Sequence, residues 1–360
     1  MKVCWISNIP SPYKVAVMNE LGKHAELLCL FEKQTEEGRE ASWYDHAFTG
    51  FEGVFLNKEN ESEMLNKAVS EYDGLINADY SNRVCIKASK MFHKAGKPVF
   101  MYADGGLVIP RGPLDLVIRW AMNLCDWFLS SGEETDKYLD YYHVPMNQVL
   151  HYRFACMSES EIAEAARMSG QKEQYRLSSG YREKVIAITV GQQIPRKGID
   201  ILAKADALLK DLDLGIYVIG GKQEENVQKI IEEEHITNMH FIPFLSKEEI
   251  AGYYAGADFY VMPTRYDIWG LVINEAMAYG LPVISTDRCV AALQFNDLYQ
   301  NAMLVPSEDP ERLAGVMRKL CNDKDLRTEL GRRSLEGIRE YSIEHMAEDI
   351  ATALQKADKV

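Results

Sequence analysis

The sequence predicts an α/β protein made of two parallel-sheet domains, on three observations. At 360 residues the chain exceeds the ~250 at which one hydrophobic core usually stops growing. Short apolar runs of strand length alternate with helical apolar spacing, and the alternation restarts halfway along the chain. Several strand-like runs end in glycines, prolines and acids, at the carboxyl ends where open α/β sheets bind ligands.

KVCWIS (2–7) predicts the first strand, followed by a loop, NIPSPY, stiffened by Pro10 and Pro12, and by the helical pattern KVAVMNELGKH. AELLCLFE, YDGLINAD (72–79) and KPVFMYADGG (97–106) are further strands, with the helix VCIKASKMFHKAG between the last two. The segment 120–145 predicts a helix, the strand WFLSSG and a helix opened by acids, EETDKYLDYY. VLHYRF and MSESEIAEAARM close the first half. The polar stretch QKEQYRLSSGYRE then marks the boundary between a domain over 1–168 and a second over 169–342.

In the second half, KVIAITVG, GIYVIGG, NMHFIPF, ADFYVMP, PVIS and NAMLVP predict strands. The helices between them include GIDILAKADALLKD, EENVQKIIEEEH and SKEEIAGYYAGA, the last with a capping spacing from Ser246 to Glu249. A final amphipathic helix over 343–360, with Ile343, Met346, Ile350 and Leu354 on one face, is expected to return to the first domain.

Composition narrows the class. Hydrophobic residues at 47% and charged ones at 26% describe a globular protein. A net charge of −14 argues against a nucleic-acid partner, while leaving room for a local basic pocket. Seven scattered cysteines without a CxxC pair exclude a disulfide framework or zinc ribbon and fit a reducing cytoplasm. The N-terminus turns polar too soon for a signal peptide, and no apolar run reaches the ~18 residues of a membrane span. Peripheral membrane contact stays open. His235 and His240 lack a third ligand at metal spacing, so metal catalysis is not expected.

Three clusters could carry chemistry. In PTRYDIWGLVINEAMAYGLPVISTD (263–287), Asp267 and Glu275 lie on either side of a glycine turn that opens a helix. The amides at such a turn would hold a diphosphate, and the two acids would accept hydrogen bonds from sugar hydroxyls. Asp267 could equally be a turn cap and Glu275 an ordinary helix residue. In VGQQIPRKGID (190–200), Arg196 and Lys197 could neutralise a phosphate before Gly198 turns the chain, or form a solvated turn. In YADGG (102–106), Asp104 could orient an acceptor hydroxyl or close an Asx turn. Neither GxGxxG after the first strand nor GxxxxGK[ST] anywhere is present, which weakens dinucleotide and P-loop readings.

VGQQIPRKGIDILAKA, YVIGG and HFIPFLSKEEIAGYYAGADFYVMPTRYDIWGLVINEAMAYGLPVISTD, in that order, resemble the retaining glycosyltransferases of family 4. The resemblance is strong over 184–310 and looser over the first 165 residues. It implies the GT-B fold, two Rossmann-like domains facing across a cleft, the first on the acceptor side and the second binding a nucleotide sugar. The family's E-x7-E acids fall on Asp267 and Glu275, implying contacts to donor sugar and ribose, with a shorter acid at the first position. Its phosphate-clamping Arg and Lys fall on Gln192 and Lys197. The amides of Gly270, Leu271 and Val272 would then take more of the phosphate charge, and the backbone at Phe244 and Leu245 would border the base. The loop at Pro10 to Tyr13 resembles a proline-rich subgroup, and Asp104 falls where the family often has a histidine.

The resemblance implies transfer of a sugar, with retention, from a UDP- or GDP-sugar to a hydroxyl of a glycan or lipid-linked saccharide, without a further cofactor. Surface-polysaccharide assembly at the inner membrane face is the implied setting. A sugar-nucleotide epimerase of similar fold and an inactive donor-binding protein stay open as alternatives.

Overall fold

The computed structural model describes residues 1–35, 47–79 and 82–357. They fold into two units, one formed by Met1–Cys156 with Tyr341–Val360 and the other by Met157–Glu340.

The first unit is built on seven strands: β1 Lys2–Ser7, β2 Glu26–Phe31, β3 Glu52–Phe55, β4 Gly74–Asn77, β5 Val99–Tyr102, β6 Trp127–Ser130 and β7 Val149–His151. All pair in parallel, in the order β3-β2-β1-β4-β5-β6-β7. Side chains alternate between the two faces of each strand. Cys4, Ile6, Leu28, Leu30, Leu75, Val99 and Met101 therefore share one buried cluster, while Trp5 and Tyr102 face the other way with ring centroids 5.0 Å apart. Helix Pro12–Leu21 starts with proline at its first turn, where the missing N–H costs nothing.

Helix Ile343–Ala357 packs against Pro12–Leu21, as the amphipathic pattern at the end of the chain requires. It is clamped where β7 ends. Arg153 donates from Nε to Asp349 Oδ2 at 2.7 Å and from Nη2 to Oδ1 at 2.8 Å. The last three residues of the expected helix lie outside the described residues.

The second unit has six parallel strands: β8 Val185–Val190, β9 Leu214–Ile219, β10 Met239–Ile242, β11 Phe259–Met262, β12 Val283–Thr286 and β13 Ala302–Val305. Their order is β10-β9-β8-β11-β12-β13. Helix Lys247–Gly256 opens with the expected capping box between Ser246 and Glu249.

Two sequence expectations differ from the structure. Strand β3 was not anticipated, because FEGVF is short, contains a glycine and pairs on one side only. The first division falls after Cys156, ahead of the expected boundary at 168/169. The polar stretch read as the boundary holds a helix, Lys172–Ser178, two of whose cations, Lys172 and Arg176, reach a buried acid. Asp258 accepts hydrogen bonds from Lys172 Nζ at 2.6 Å, Arg176 Nη1 at 2.9 Å and the Ile186 amide at 2.7 Å. Part of the polarity there serves an internal ion cluster, while Glu173, Gln174 and Ser178 face solvent.

Asp206, at the end of helix Ile199–Asp206, is buried. One carboxylate oxygen accepts from Asn238 Nδ2 at 3.0 Å, and the other has no partner. Burial pushes its pKa up to about 6. The folded state thus holds a proton that the unfolded chain has largely released above pH ~4. The stabilisation attached to that proton is complete below the unfolded pKa and is lost as pH rises through about 6. Asp206→Asn should be more stable than the parent by about 2 kcal/mol at neutral to mildly alkaline pH, with the difference shrinking toward pH ~4. Urea unfolding across that range checks both sign and trend.

Candidate functional site

Strand order in the second unit reverses between β8 and β11, and crevices of this kind open at the carboxyl ends of such strands. The loops that leave there are 191–198 after β8 and 263–270 after β11, the two motifs singled out from the sequence. They are held together through the backbone. The Arg196 carbonyl accepts from the Arg265 amide at 2.8 Å and from Thr264 Oγ1 at 2.9 Å.

Arg265 reinforces the joint with a two-pronged pair to Asp200, at 2.9 and 2.8 Å. It also reaches Glu308 and the Pro195 carbonyl. Gly198 makes the approach possible. Its φ is +70°, and a Cβ there would sit 2.0 Å from the Pro263 carbonyl oxygen.

Asp267 lies at the centre. It is 8% exposed, and its Oδ2 accepts from Lys197 Nζ at 2.7 Å and from Arg196 Nη1 at 2.8 Å. Its own backbone is fixed by bonds to Arg288 and Val290. Burial alone would raise its pKa, but the Lys197 ammonium and the Arg196 guanidinium outweigh that and hold the carboxyl below its ordinary range. Asp267 is an anion at neutral pH, and two cations are stationed on it.

Beyond it, Trp269 is buried and donates from Nε1 to Asn274 Oδ1 at 3.0 Å. Gly270 caps helix Leu271–Ala278 at φ +105° and, as a glycine, brings no capping side chain of its own. Glu275 is half-buried on that helix and accepts from Tyr254 Oη at 3.0 Å. Burial raises its pKa, and the tyrosine bond offsets this in part.

Phe244 is exposed and Leu245 half-buried in the loop that runs from β10 into helix Lys247–Gly256. Gln192 is exposed just past β8. Tyr266 and Ile268 are exposed too, with the Arg196 guanidinium 5.5 Å from the Tyr266 ring centroid. Gln192, Lys197, Phe244, Leu245, Asp267, Gly270, Leu271, Val272 and Glu275 therefore all follow the carboxyl ends of strands in one unit.

Asp104 belongs to the other unit, two residues past β5. Its Oδ2 accepts from Tyr13 Oη at 2.7 Å and lies 3.7 Å from Lys14 Nζ. Lys14 is only 6% exposed and also reaches Ser7 Oγ at 3.2 Å and Asn8 Oδ1 at 3.4 Å. Asp104 Oδ1 is buried without a partner. Burial, with the charge of Asp104 adding to it, pushes the Tyr13 hydroxyl well above its ordinary pKa, so it acts as a donor.

Sequence reasoning missed three of these contacts. The pairing of Arg196 with Asp267, the partner role of Tyr254 and the buried position of Lys14 all depend on tertiary approach. Only the apposition of Arg196 and Lys197 just past a strand was visible as a signal. Among the described residues no group of His, Cys, Asp and Glu side chains could hold a metal ion.

Gly198→Ala should destabilise the second unit by about 2 kcal/mol or more, since the new methyl forces the two loops apart in a backbone region that disfavours side chains. Denaturant unfolding measures the loss. Gly315→Ala, where an added Cβ meets nothing within 4 Å, is the matched control.

The chain is similar to known proteins over part of its sequence and in its fold. Residues 171–336 match the family model described as Glycosyl transferases group 1. Lipopolysaccharide glucosyltransferase WaaG of Escherichia coli is 28% identical over 189 residues, half of each chain. An uncharacterized glycosyltransferase of Methanocaldococcus jannaschii is 30% identical over 156 residues, 43% of each chain. The chain thus spans about half the length of the curated relatives it matches. Among solved structures, Anabaena HepE in complex with UDP has a TM-score of 0.79 at 14% identity, over 99% of this chain and 100% of that one. WaaG has a TM-score of 0.69 at 15% identity, over 97% and 98%. By sequence over 171–336 the chain is similar to the group 1 glycosyltransferases, and its two Rossmann-like parallel-sheet units have the fold of the GT-B glycosyltransferases.

Proposed function

We propose that the protein is a retaining glycosyltransferase of the family 4 type. It moves a sugar from a UDP- or GDP-sugar to a hydroxyl of a glycan or lipid-linked saccharide, in cytoplasmic assembly of a surface polysaccharide. The observation that carries this reading is the Arg196 and Lys197 pair held on Asp267 at the strand-order reversal, just ahead of the helix that opens at Gly270.

In this reading Lys197, Gln192 and the amides from Gly270 to Val272 hold the diphosphate and stabilise the charge of the departing nucleotide. Glu275 accepts hydrogen bonds from the ribose hydroxyls, and the backbone at Phe244 and Leu245 borders the base. Asp267 accepts from a hydroxyl of the donor sugar. Because it shares Lys197 with the phosphates, sugar and leaving group are registered against one cation. Asp104 offers its open oxygen to the acceptor hydroxyl, with Tyr13 and Lys14 fixing the other.

Transfer is a front-face displacement. The bond from anomeric carbon to phosphate oxygen breaks, the acceptor oxygen bonds the same face, and its proton passes to the departing phosphate. Trapping the sugar covalently on an enzyme carboxylate would refute that path. UDP-glucose is the first donor to test, since HepE has been solved with it and WaaG is named a glucosyltransferase.

The deciding experiment incubates the protein with UDP-, GDP- and ADP-sugars, with and without saccharide acceptors, and measures free nucleotide and the anomeric configuration of the product. An inverted product, an epimerised donor without transfer, or binding without turnover would each overturn the proposal.

Lys197→Ala should weaken binding of the nucleotide by about thirtyfold, the value of a charge-assisted bond near 2 kcal/mol. Glu275→Gln should weaken it by roughly tenfold. Ribose hydroxyls donate to the ionised Glu275, whose pKa is raised by burial. Parent affinity should therefore fall as pH drops through that raised value, and the Gln variant should lose this dependence. Calorimetric titration with UDP and GDP measures all three effects.

A further inference from the structure

We propose that the amino end of the first unit's sheet carries a binding site for a neutral oligosaccharide, apart from the residues assigned to transfer. The inference goes beyond the transfer reaction and stands without it. A cavity of about 630 Å³ opens there, and its walls include His93, Lys97, Pro98, Asp126 and Trp127. That volume is in the range of pockets that hold small organic ligands. All five residues belong to the first unit, His93 in the last turn of helix Arg83–Lys94 and the others at or just ahead of the starts of β5 and β6. Asp104 stands past the opposite end of β5, so a ligand held here is away from the acceptor-side acid.

The walls are fixed by their own hydrogen bonds. The Asp126 amide donates to the Val99 carbonyl and Asp126 Oδ2 accepts from the Val99 amide, each at 2.8 Å, which clips the starts of β5 and β6 together. The same Oδ2 lies 3.1 Å from His93 Nε2. A carboxylate oxygen only accepts, so Nε2 carries the proton and Nδ1 keeps a free lone pair. Lys97 Nζ donates to the Val69 and Tyr72 carbonyls at 2.6 Å, where helix Glu61–Glu71 ends and its dipole favours a cation.

Three polar groups in these walls are left uncommitted. Asp126 Oδ1, His93 Nδ1 and the Trp127 indole N–H have no hydrogen-bond partner among the described residues. Nor does another described aromatic ring pack on half-buried Trp127. His93 is exposed at the rim, so a chain held inside can continue into solvent.

The chemistry of this free edge identifies the ligand. It offers two acceptors and one donor beside an indole. Hydroxyls of a sugar ring donate to the acceptors and accept from the indole N–H, while the ring's C–H face packs on the aromatic surface. Charged ligands fit less well. An anion would meet Asp126, and the one lysine in the walls is already engaged by two carbonyls. A cation would find a single carboxylate whose other oxygen is occupied.

The test is calorimetric titration of the full chain, without nucleotide, with maltohexaose, cellohexaose and hexagalacturonate. At least one of the two neutral hexasaccharides should bind saturably, and hexagalacturonate, with a carboxylate on each ring, should bind about tenfold more weakly than that one. Trp127→Ala should weaken neutral binding by about tenfold or more, and Trp127→Phe, which keeps a ring and removes the N–H, by about threefold to tenfold. His93→Ala alters an exposed side chain and should cost about threefold. Asp104→Asn, at the other end of β5, should bind like the parent. Thermal melts matching the parent confirm the fold of each variant. Absence of saturable binding by both neutral hexasaccharides, or tighter binding of hexagalacturonate, would overturn the proposal. So would binding that Asp104→Asn abolishes while Trp127→Phe and His93→Ala retain it in full.

Discussion

A buried carboxylate shared by two cations holds the second unit's sheet edge in working form. Asp267 is nearly sealed from water, and an isolated anion there would take up a proton instead of persisting. Lys197 and Arg196 keep it charged. They reach it because the loops after β8 and β11 touch through the Arg196 carbonyl and because Gly198 has no side chain to block the Pro263 carbonyl. The strand order supplies the rest. Crevices open at the carboxyl ends of a parallel sheet where the strand order reverses, and here the two loops beside that point are joined. The motif residues are consequences of that topology as much as additions to it.

The first unit solves a related problem with less charge. Lys14 is buried more deeply than Lys197, and its neighbours are a serine, an asparagine and a carboxylate at 3.7 Å. Asp104 takes its short hydrogen bond from Tyr13 instead. One carboxylate oxygen is therefore fixed by a neutral donor and the other is left with its hydrogen-bonding capacity unused. A buried polar atom without a partner costs stability. That open oxygen stands at the end of β5, beside the loop that starts at the end of β1.

The alternation of strands and helices was legible because each parallel strand is buried on both faces and each helix on one, which writes two distinct periodicities into the chain. β3 escaped because an edge strand with a glycine carries little of either signal. The boundary escaped for a different reason. Polar composition looks the same whether side chains face water or, as Lys172 and Arg176 do, converge on a buried acid. Among the site residues, the loops bearing Asp267, Lys197 and Glu275 announced themselves by turn chemistry next to apolar runs. Their partners did not. Tyr254 lies 21 residues from Glu275 and Arg196 lies 71 from Asp267, and nothing local in sequence encodes a contact made by folding.

The distribution of charge follows from the same separation of roles. A strongly acidic chain repels nucleotides and anionic surfaces at long range, so any place that binds them must overcome the background field locally. Beside Asp267 two cations stand on loops joined to one another, where burial limits screening by salt. On the face around Lys90, Arg111 and Arg119 the positive charges are exposed and dispersed. Dispersed cations hold a single compact anion poorly, because none is fixed where one small group could use several at once. The two basic regions thus differ in geometry: one is a pair fixed on a buried carboxylate, the other an exposed and dispersed set.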